Sequence, residues 1–211
     1  MTAKHRVVVA TGNVGKLKEI QSLLEQGDWA NEWEIVAQKE FNISDAEETG
    51  TTFVENAIIK ARHASAIAQL PALADDSGIE VDYLKGQPGI HSARYAGDEA
   101  NAVDNVNKLL NELADTQDEQ RCARFQCVIV YLRHAADPSP LISQASWDGR
   151  ILHAPRGDGG FGYDPVFYVP THDCSAAELD PVIKNAISHR GKALRNLVHL
   201  LQRETQASHP V

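Results

Sequence analysis

The chain has 211 residues, of which 43% are apolar and 23% charged, and a formal net charge of −9. This composition is typical of a globular protein, and the length allows one sizeable core or two lobes that share one sheet. The negative charge argues against long nucleic acid as a partner. Any polyanionic ligand should therefore be small and bound by a local cluster of cations.

Signals for the membrane, for secretion and for zinc are missing from the sequence. No apolar stretch approaches the ~20 residues of a membrane span, and the run from Val7 to Ala10 is too short for a signal peptide. The three cysteines form no close CxxC pair, and the nine histidines include no HExxH spacing. We therefore predict a cytoplasmic protein with reduced thiols and no zinc site.

The first half of the chain alternates strand and helix patterns. A wholly apolar run at residues 7–10 predicts a strand buried on both faces, followed by a turn and an amphipathic helix, and residues 33–37 predict a second strand. Residues 51–70 predict an alanine-rich helix that starts with a Thr52–Glu55 capping box. Its inward stripe should consist of Phe53, Ala57, Ala61, Ala64 and Ala68. A short strand at residues 72–74 is expected to end just before two adjacent aspartates.

The second half adds hairpins. Ile79 and Val81 predict a strand with one wet face, and the apolar positions from Val103 to Leu113 predict a helix. Residues 121–132 and 141–147 predict an antiparallel hairpin, and a last helix is expected from about Ser188. These patterns together predict a mixed α/β sheet in a single domain over residues 1–211, whose tail frays after about residue 204.

The segment TGNVGK at residues 11–16 lies between a buried strand and a helix N-terminus. Backbone N–H groups, the helix dipole and the Lys16 ammonium would together bind a triphosphate there. The spacing is neither that of a Walker A loop nor GxGxxG. An ordinary strand–helix turn with a solvated lysine is the alternative.

Acidic residues suggest a magnesium site. Glu48 and Asp76 would supply the hard oxygen ligands that Mg²⁺ prefers, with Lys60 nearby on the following helix. Neighbouring strand residues point to opposite faces, so Asp75 and Asp76 should have different roles unless the strand has already ended. We assign metal binding and base catalysis to Asp76 and orientation to Asp75. The alternatives are a solvated acidic loop around Glu48 and a turn cap at the aspartate pair.

Two further motifs suit a nucleoside. The glycine-rich segment at residues 157–165 sets Phe161 and Tyr163 among residues without bulk, which suits a flat base against an aromatic face. A His189–Arg190 pair near the last helix start could donate to a carbonyl or phosphate. A flexible loop with packing aromatics and a helix cap with solvated cations are the respective alternatives.

Five motifs in this order closely resemble the inosine triphosphate pyrophosphatase family, whose bacterial members are called dITP/XTP or non-canonical purine NTP pyrophosphatases. They are TGN with Lys16, ADDSG at 74–78, PG at 88–89 with SARY at 92–95, FGYDP at 161–165, and SHRGK at 188–192. The resemblance spans residues 7 to about 195. It implies an elongated mixed sheet with flanking helices, two lobes around a substrate cleft, and a homodimer.

The resemblance also implies Mg²⁺-dependent hydrolysis of dITP, ITP and XTP to the monophosphate and pyrophosphate, which cleanses the nucleotide pool. It makes Glu48 and Asp76 the metal ligands, with Asp76 also the proton acceptor for the attacking water. It implies that the remaining site residues bind substrate: Thr11, Gly12, Asn13, Val14, Gly15, Lys16, Lys60, Ser77, Phe161, Gly162, Tyr163, Asp164, Lys184, His189 and Arg190.

Two other functions stay open on the sequence alone. One is a related Maf-like pyrophosphatase that acts on pyrimidine or modified nucleotides. The other is a nucleotide-binding regulator without catalysis, although mere binding does not need the acidic residues.

Overall fold

This computed structural model describes residues 4–25 and 33–207. Along the chain these residues form β1 (His5–Ala10), α1 (Val14–Glu25), β2 (Trp33–Ala37), α2 (Phe53–Ala68), β3 (Ala72–Val81), α3 (Ala102–Glu112), β4 (Cys122–Leu132), β5 (Leu141–Ile151), β6 (Phe167–Val169), β7 (Cys174–Ser175), α4 (Pro181–Ile187) and α5 (His189–Ala207). The last helix thus passes residue 204, whereas residues 208–211 of the predicted frayed tail lie outside the described part.

The strands form one seven-stranded sheet in the order β2-β1-β3-β4-β5-β6-β7. β1 runs parallel to β2 and β3, while β6 runs antiparallel to β5 and β7. The predicted mixed α/β sheet is therefore confirmed. The elongated outline, the substrate cleft and the single domain over residues 1–211 stay predictions.

β3 corrects one expectation. The sequence predicted a strand that ends before Asp75, followed by a separate strand at Ile79, but β3 is continuous from Ala72 to Val81. Aspartate is disfavoured in strands because of its short polar side chain. Here both carboxylates lie close to cationic groups, so the strand continues through them.

The first compact unit comprises Met1–Asp76, Cys127–Ala145 and Arg190–Val211. Its core has two clusters. One packs β1 and Leu73 against α1 and α5. The other packs β1 and Ala74 against three fully buried alanines of α2, which are Ala57, Ala61 and Ala64. The predicted alanine stripe is thus confirmed at its centre.

The helix α2 begins as its sequence predicts. Thr52 Oγ1 accepts a hydrogen bond from the Glu55 amide, and the Glu55 carboxylate accepts one from the Thr52 amide, which completes the capping box. Because alanine has no bulk beyond Cβ, α2 can lie close to the sheet. This proximity brings Lys60, on the same helix, close to Asp76 in the middle of β3.

The second compact unit comprises Ser77–Gln126 and Ser146–His189. Its core packs α3 residues such as Leu109 with the aromatic rings of Phe125, Trp147 and Phe167. Val103, the first apolar position of the predicted helix, is 65% exposed and does not belong to this core. Helix α4, which Asp180 caps through a hydrogen bond from the Val182 amide, was not predicted.

Within the part of the chain that the structure describes, no helix is both long and apolar enough to cross a bilayer. The three cysteines are free thiols, of which Cys127 is buried.

Candidate active site

The predicted phosphate loop is a capped helix start. The Thr11 hydroxyl accepts a hydrogen bond from the Asn13 amide at 3.1 Å, and Asn13 Oδ1 accepts one from the Lys16 amide at 3.0 Å. Asn13 therefore caps α1 in the usual way for its residue type. A Cβ on Gly12 would lie 2.6 Å from a carboxylate oxygen of Asp45, so a larger residue here would displace that carboxylate.

The first of the two aspartates on β3 is buried among cations. Asp75 Oδ1 lies 2.7 Å from Lys16 Nζ, and Oδ2 lies 3.2 Å from Arg190 Nε and 3.1 Å from the Cys127 thiol. Arg190 also pairs with Glu19. Burial raises the pKa of Asp75, but the charges of Arg190 and Lys16 outweigh it and hold this pKa well below its ordinary value.

Asp76 faces the other side of β3, as the alternation of strand residues requires. Lys60 Nζ lies 2.6 Å from Asp76 Oδ1 and 3.1 Å from Glu48 Oε1. Burial raises the pKa of Asp76 above its ordinary value, although the Lys60 charge opposes this. Burial also lowers the pKa of Lys60, but the carboxylates of Asp76 and Asp75 raise it more.

The residues at this place fit a divalent cation in part. Asp76 Oδ2 is buried and has no hydrogen-bond partner among the described residues, so it is an acceptor open to a cation. Glu48, whose Oε1 contacts the same lysine, offers the cation a second hard oxygen ligand. Across residues 4–25 and 33–207, no group of three or more His, Cys, Asp or Glu side chains could hold a metal. Mg²⁺ bound here would therefore keep waters or substrate oxygens as its other ligands, as is usual for this ion.

In the second unit, residues 161–164, which are predicted to bind the nucleoside, form a tight turn. Asp164 Oδ2 accepts hydrogen bonds from the Phe161 amide at 2.8 Å and from Lys184 Nζ at 2.7 Å. The same ammonium lies 5.1 Å from the centre of the Phe161 ring. Gly160 has φ +70°, and a Cβ there would lie 2.2 Å from Asp164 Oδ2. A buried ion pair therefore fixes the loop that presents Phe161.

Other predicted residues of this unit have structural contacts. Tyr163 is buried, and its hydroxyl donates to the Ser92 carbonyl at 2.8 Å. The His189 ring stacks on Phe125 with 4.7 Å between centroids and 9° between planes, and it also lies beside Trp147. Gly162 has φ +62°. Ser77 is half-buried on β3.

The structure thus gathers the predicted residues in two groups. The first unit contains residues 11–16, Glu48, Lys60, Asp76 and Arg190, and the second contains Ser77, residues 161–164, Lys184 and His189. His189 and Arg190 are adjacent in sequence yet belong to different units.

The sequence did not point to several partners of these residues. Glu19 pairs with Arg190, the Cys127 thiol contacts Asp75, and Phe125 and Trp147 stack on His189. No local pattern pointed to these contacts, because they join residues that are far apart in the chain.

Comparison with known proteins decides the family, because the profile of the Ham1 family matches residues 7–200. The chain belongs to the Ham1 family. Ham1 relatives include the dITP/XTP pyrophosphatase of Vibrio cholerae, 55% identical over 94% of this chain and 98% of its own length. The dITP/XTP pyrophosphatase of Escherichia coli K12 is also 55% identical, over 93% of this chain and 98% of its own. The family resemblance predicted from the motifs is therefore confirmed.

Solved structures agree with this membership. A HAM1 protein from Coxiella burnetii superposes with a TM-score of 0.84 at 49% identity, covering 94% of this chain and 99% of that one. A nucleoside-triphosphatase, dITP/XTP pyrophosphatase, from Mycobacterium abscessus gives a TM-score of 0.71 at 37% identity, covering 92% and 98%.

Proposed function

We propose that this chain, a nucleoside-triphosphate pyrophosphatase by family, hydrolyses non-canonical purine nucleoside triphosphates in a Mg²⁺-dependent reaction. The substrates are dITP, ITP, XTP and dXTP, and the products are the monophosphate and pyrophosphate. The names of the relatives support the substrate class. The observation that carries the proposal is the pair of adjacent aspartates, each contacting one lysine on its own face of β3.

The residues of the first unit would act on the triphosphate. The amides at the start of α1, together with the Lys16 and Lys60 ammonium groups, bind the phosphates and stabilise their charge. Water attacks the α-phosphorus in line, the bond from that phosphorus to the bridging oxygen of the β-phosphate breaks, and pyrophosphate leaves. Asp76 orients the water and accepts its proton. Mg²⁺ held by Glu48 and Asp76 would neutralise charge on the leaving group.

The residues predicted to line the nucleoside pocket would recognise the base. Hypoxanthine and xanthine carry a 6-oxo acceptor, whereas adenine carries a 6-amino donor. Donors from His189, Arg190 or Lys184 would pair with the oxo group and meet a second donor in adenine. Unmatched buried polar groups can reject a substrate by ~10⁴-fold or more. The Phe161 ring, fixed by its turn, would provide a face on which the base stacks.

Pyrophosphate release from a panel of nucleotides tests the proposal. We expect rapid release from dITP, ITP and XTP at alkaline pH with Mg²⁺, little release from the eight standard nucleotides, and none after chelation of the metal. Faster turnover of dTTP or methylated UTP would favour a Maf-like activity instead. Binding of ITP without any pyrophosphate release would indicate a regulator.

We also propose that the protein acts in the cytoplasm as a homodimer and keeps these nucleotides out of DNA and RNA. Light scattering should give twice the chain mass of 23.1 kDa. A mass equal to that of one chain at micromolar concentration would contradict the dimer.

A further inference from the structure

Lys60 contacts the two residues that are predicted to bind the metal. Its ammonium lies 2.6 Å from Asp76 Oδ1 and 3.1 Å from Glu48 Oε1, and its side chain is 14% exposed. Both carboxylates lie on the side of β3 that faces α2, because Lys60 belongs to that helix. The lysine therefore serves as the counter-ion of this acidic pair in the free protein.

A cation in this position disfavours a second one. Two positive charges a few ångström apart repel each other strongly in a partly buried site, where water screens them little. A divalent ion that binds Glu48 and Asp76 must either displace the Lys60 ammonium or lie beside it. In both cases Lys60 weakens binding of the metal alone.

A triphosphate changes this balance. Its negative charges attract the Lys60 ammonium and compensate it, which leaves the carboxylate oxygens available to the metal. Because such couplings are reciprocal, a metal that takes over the carboxylates also makes Lys60 available to phosphate.

We propose that Lys60 is an internal counter-ion which competes with the metal for Glu48 and Asp76, and which thereby makes binding of metal and triphosphate cooperative. This inference rests on the proposed function for the identity of the two ligands. It assigns Lys60 a role in the free enzyme in addition to phosphate binding.

Mn²⁺ binding without nucleotide tests the competition. We expect the Lys60→Gln variant to bind Mn²⁺ more tightly than the wild type, by roughly 5- to 150-fold, the usual range of such couplings. The control Lys39→Gln removes the same charge from an exposed position of the first unit and should bind Mn²⁺ as the wild type does. Equal or weaker binding by Lys60→Gln, measured by electron paramagnetic resonance, would overturn the proposal.

The cooperativity needs its own measurement. Calorimetry with an α,β-imido analogue of dITP should show that Mg²⁺ strengthens analogue binding more in the wild type than in Lys60→Gln. An unchanged ratio would contradict the coupling. If Lys60→Gln unfolds, Lys60→Met retains the apolar stem and takes its place. Lys60→Arg keeps the charge and should bind Mn²⁺ as weakly as the wild type, so tight binding there would also overturn the proposal.

The two proposals fail separately. The Mn²⁺ experiment contains no nucleotide and reports no turnover, so it tests only the competition at Glu48 and Asp76. Pyrophosphate release by the wild type tests the reaction whether or not Lys60 competes with the metal.

Discussion

Asp75 and Asp76 are neighbours in the chain, yet their surroundings differ. Asp75 contacts Lys16 and Arg190 on one face of β3, and cationic charge lowers its pKa. Asp76 contacts Lys60 on the other face, and burial raises its pKa. Because a raised pKa makes a carboxylate a better proton acceptor, the difference suits the roles of orienting residue and base.

Replacement of Asp76 by Asn should abolish most activity. The amide keeps the shape but neither carries charge nor accepts the proton of water, so we expect kcat for dITP to fall by ~10²–10⁴-fold. Steady-state pyrophosphate release measures this, with Asp98→Asn as a control at an exposed position of the second unit. Near-normal kcat with intact Mg²⁺ dependence would show that the base is another group.

At this scale the sequence predicted residue types better than residue partners. Alternation along a strand was enough to give the two aspartates different roles. The pairing of Arg190 with Glu19 spans 171 positions and depends on how α5 packs beside α1, so no local pattern could reveal it. The stacking of His189 on Phe125 depends in the same way on packing within the second unit.

Among the elements, the turn at residues 160–164 depends on a glycine for two reasons. Gly160 and Gly162 both have positive φ, +70° and +62°, but only Gly160 lies against a side chain, that of Asp164. We expect Gly160→Ala to lower the free energy of unfolding by about 2–4 kcal/mol, from backbone strain and from disruption of a buried ion pair.

The Gly162→Ala variant is the matched control, because it has the strain without the clash. This substitution should lower the free energy of unfolding by only about 1 kcal/mol. Urea unfolding of both variants gives the comparison. Equal losses would show that the contact with Asp164 contributes nothing.

The turn between β4 and β5 predicts a pH dependence of stability. The Asp137 side chain is 1% exposed, and its hydrogen bond with Arg133 holds its pKa below the ordinary value. A depressed carboxyl pKa stabilises the fold above the ordinary pKa of ~3.9, and this contribution is lost as the pH falls. Asp137→Asn should therefore lower the free energy of unfolding by about 1–3 kcal/mol at pH ~7 and by clearly less at pH ~3.

Thermal unfolding of this variant at both pH values measures the difference. Asp148→Asn is the control, since its side chain is 83% exposed and it should cost little at either pH. A loss for Asp137→Asn that is the same at both values would contradict the assigned charge interaction.

Elements with strong local signals were predictable and the others were not. The capping box and alanine stripe fixed the start and buried face of α2. β3 was divided in the prediction because two aspartates interrupt its apolar pattern, and only the lysines on both faces explain its continuity. Helix α4 has seven residues, too few for a clear periodic pattern.

At the scale of the whole molecule, the chain carries a formal net charge of −9. Lys16, Lys60 and Arg190 all lie among carboxylates, so they form no extended basic surface. We expect a single-stranded oligonucleotide to bind so weakly, with a Kd above ~10⁻⁴ M at physiological salt, that binding does not saturate. Fluorescence anisotropy measures this, and saturable binding that weakens steeply with salt would be the contrary result.

The alternation of Asp75 and Asp76 along β3 has a consequence for how this sequence can diverge. Loss of one codon between Leu73 and Asp75 would shift every later side chain of the strand to the opposite face. Asp75 would then face Lys60 on α2 instead of Lys16 on α1, and Asp76 would face Lys16 instead of Lys60. The fold can tolerate single substitutions around this pair, whereas selection should remove insertions and deletions within the strand.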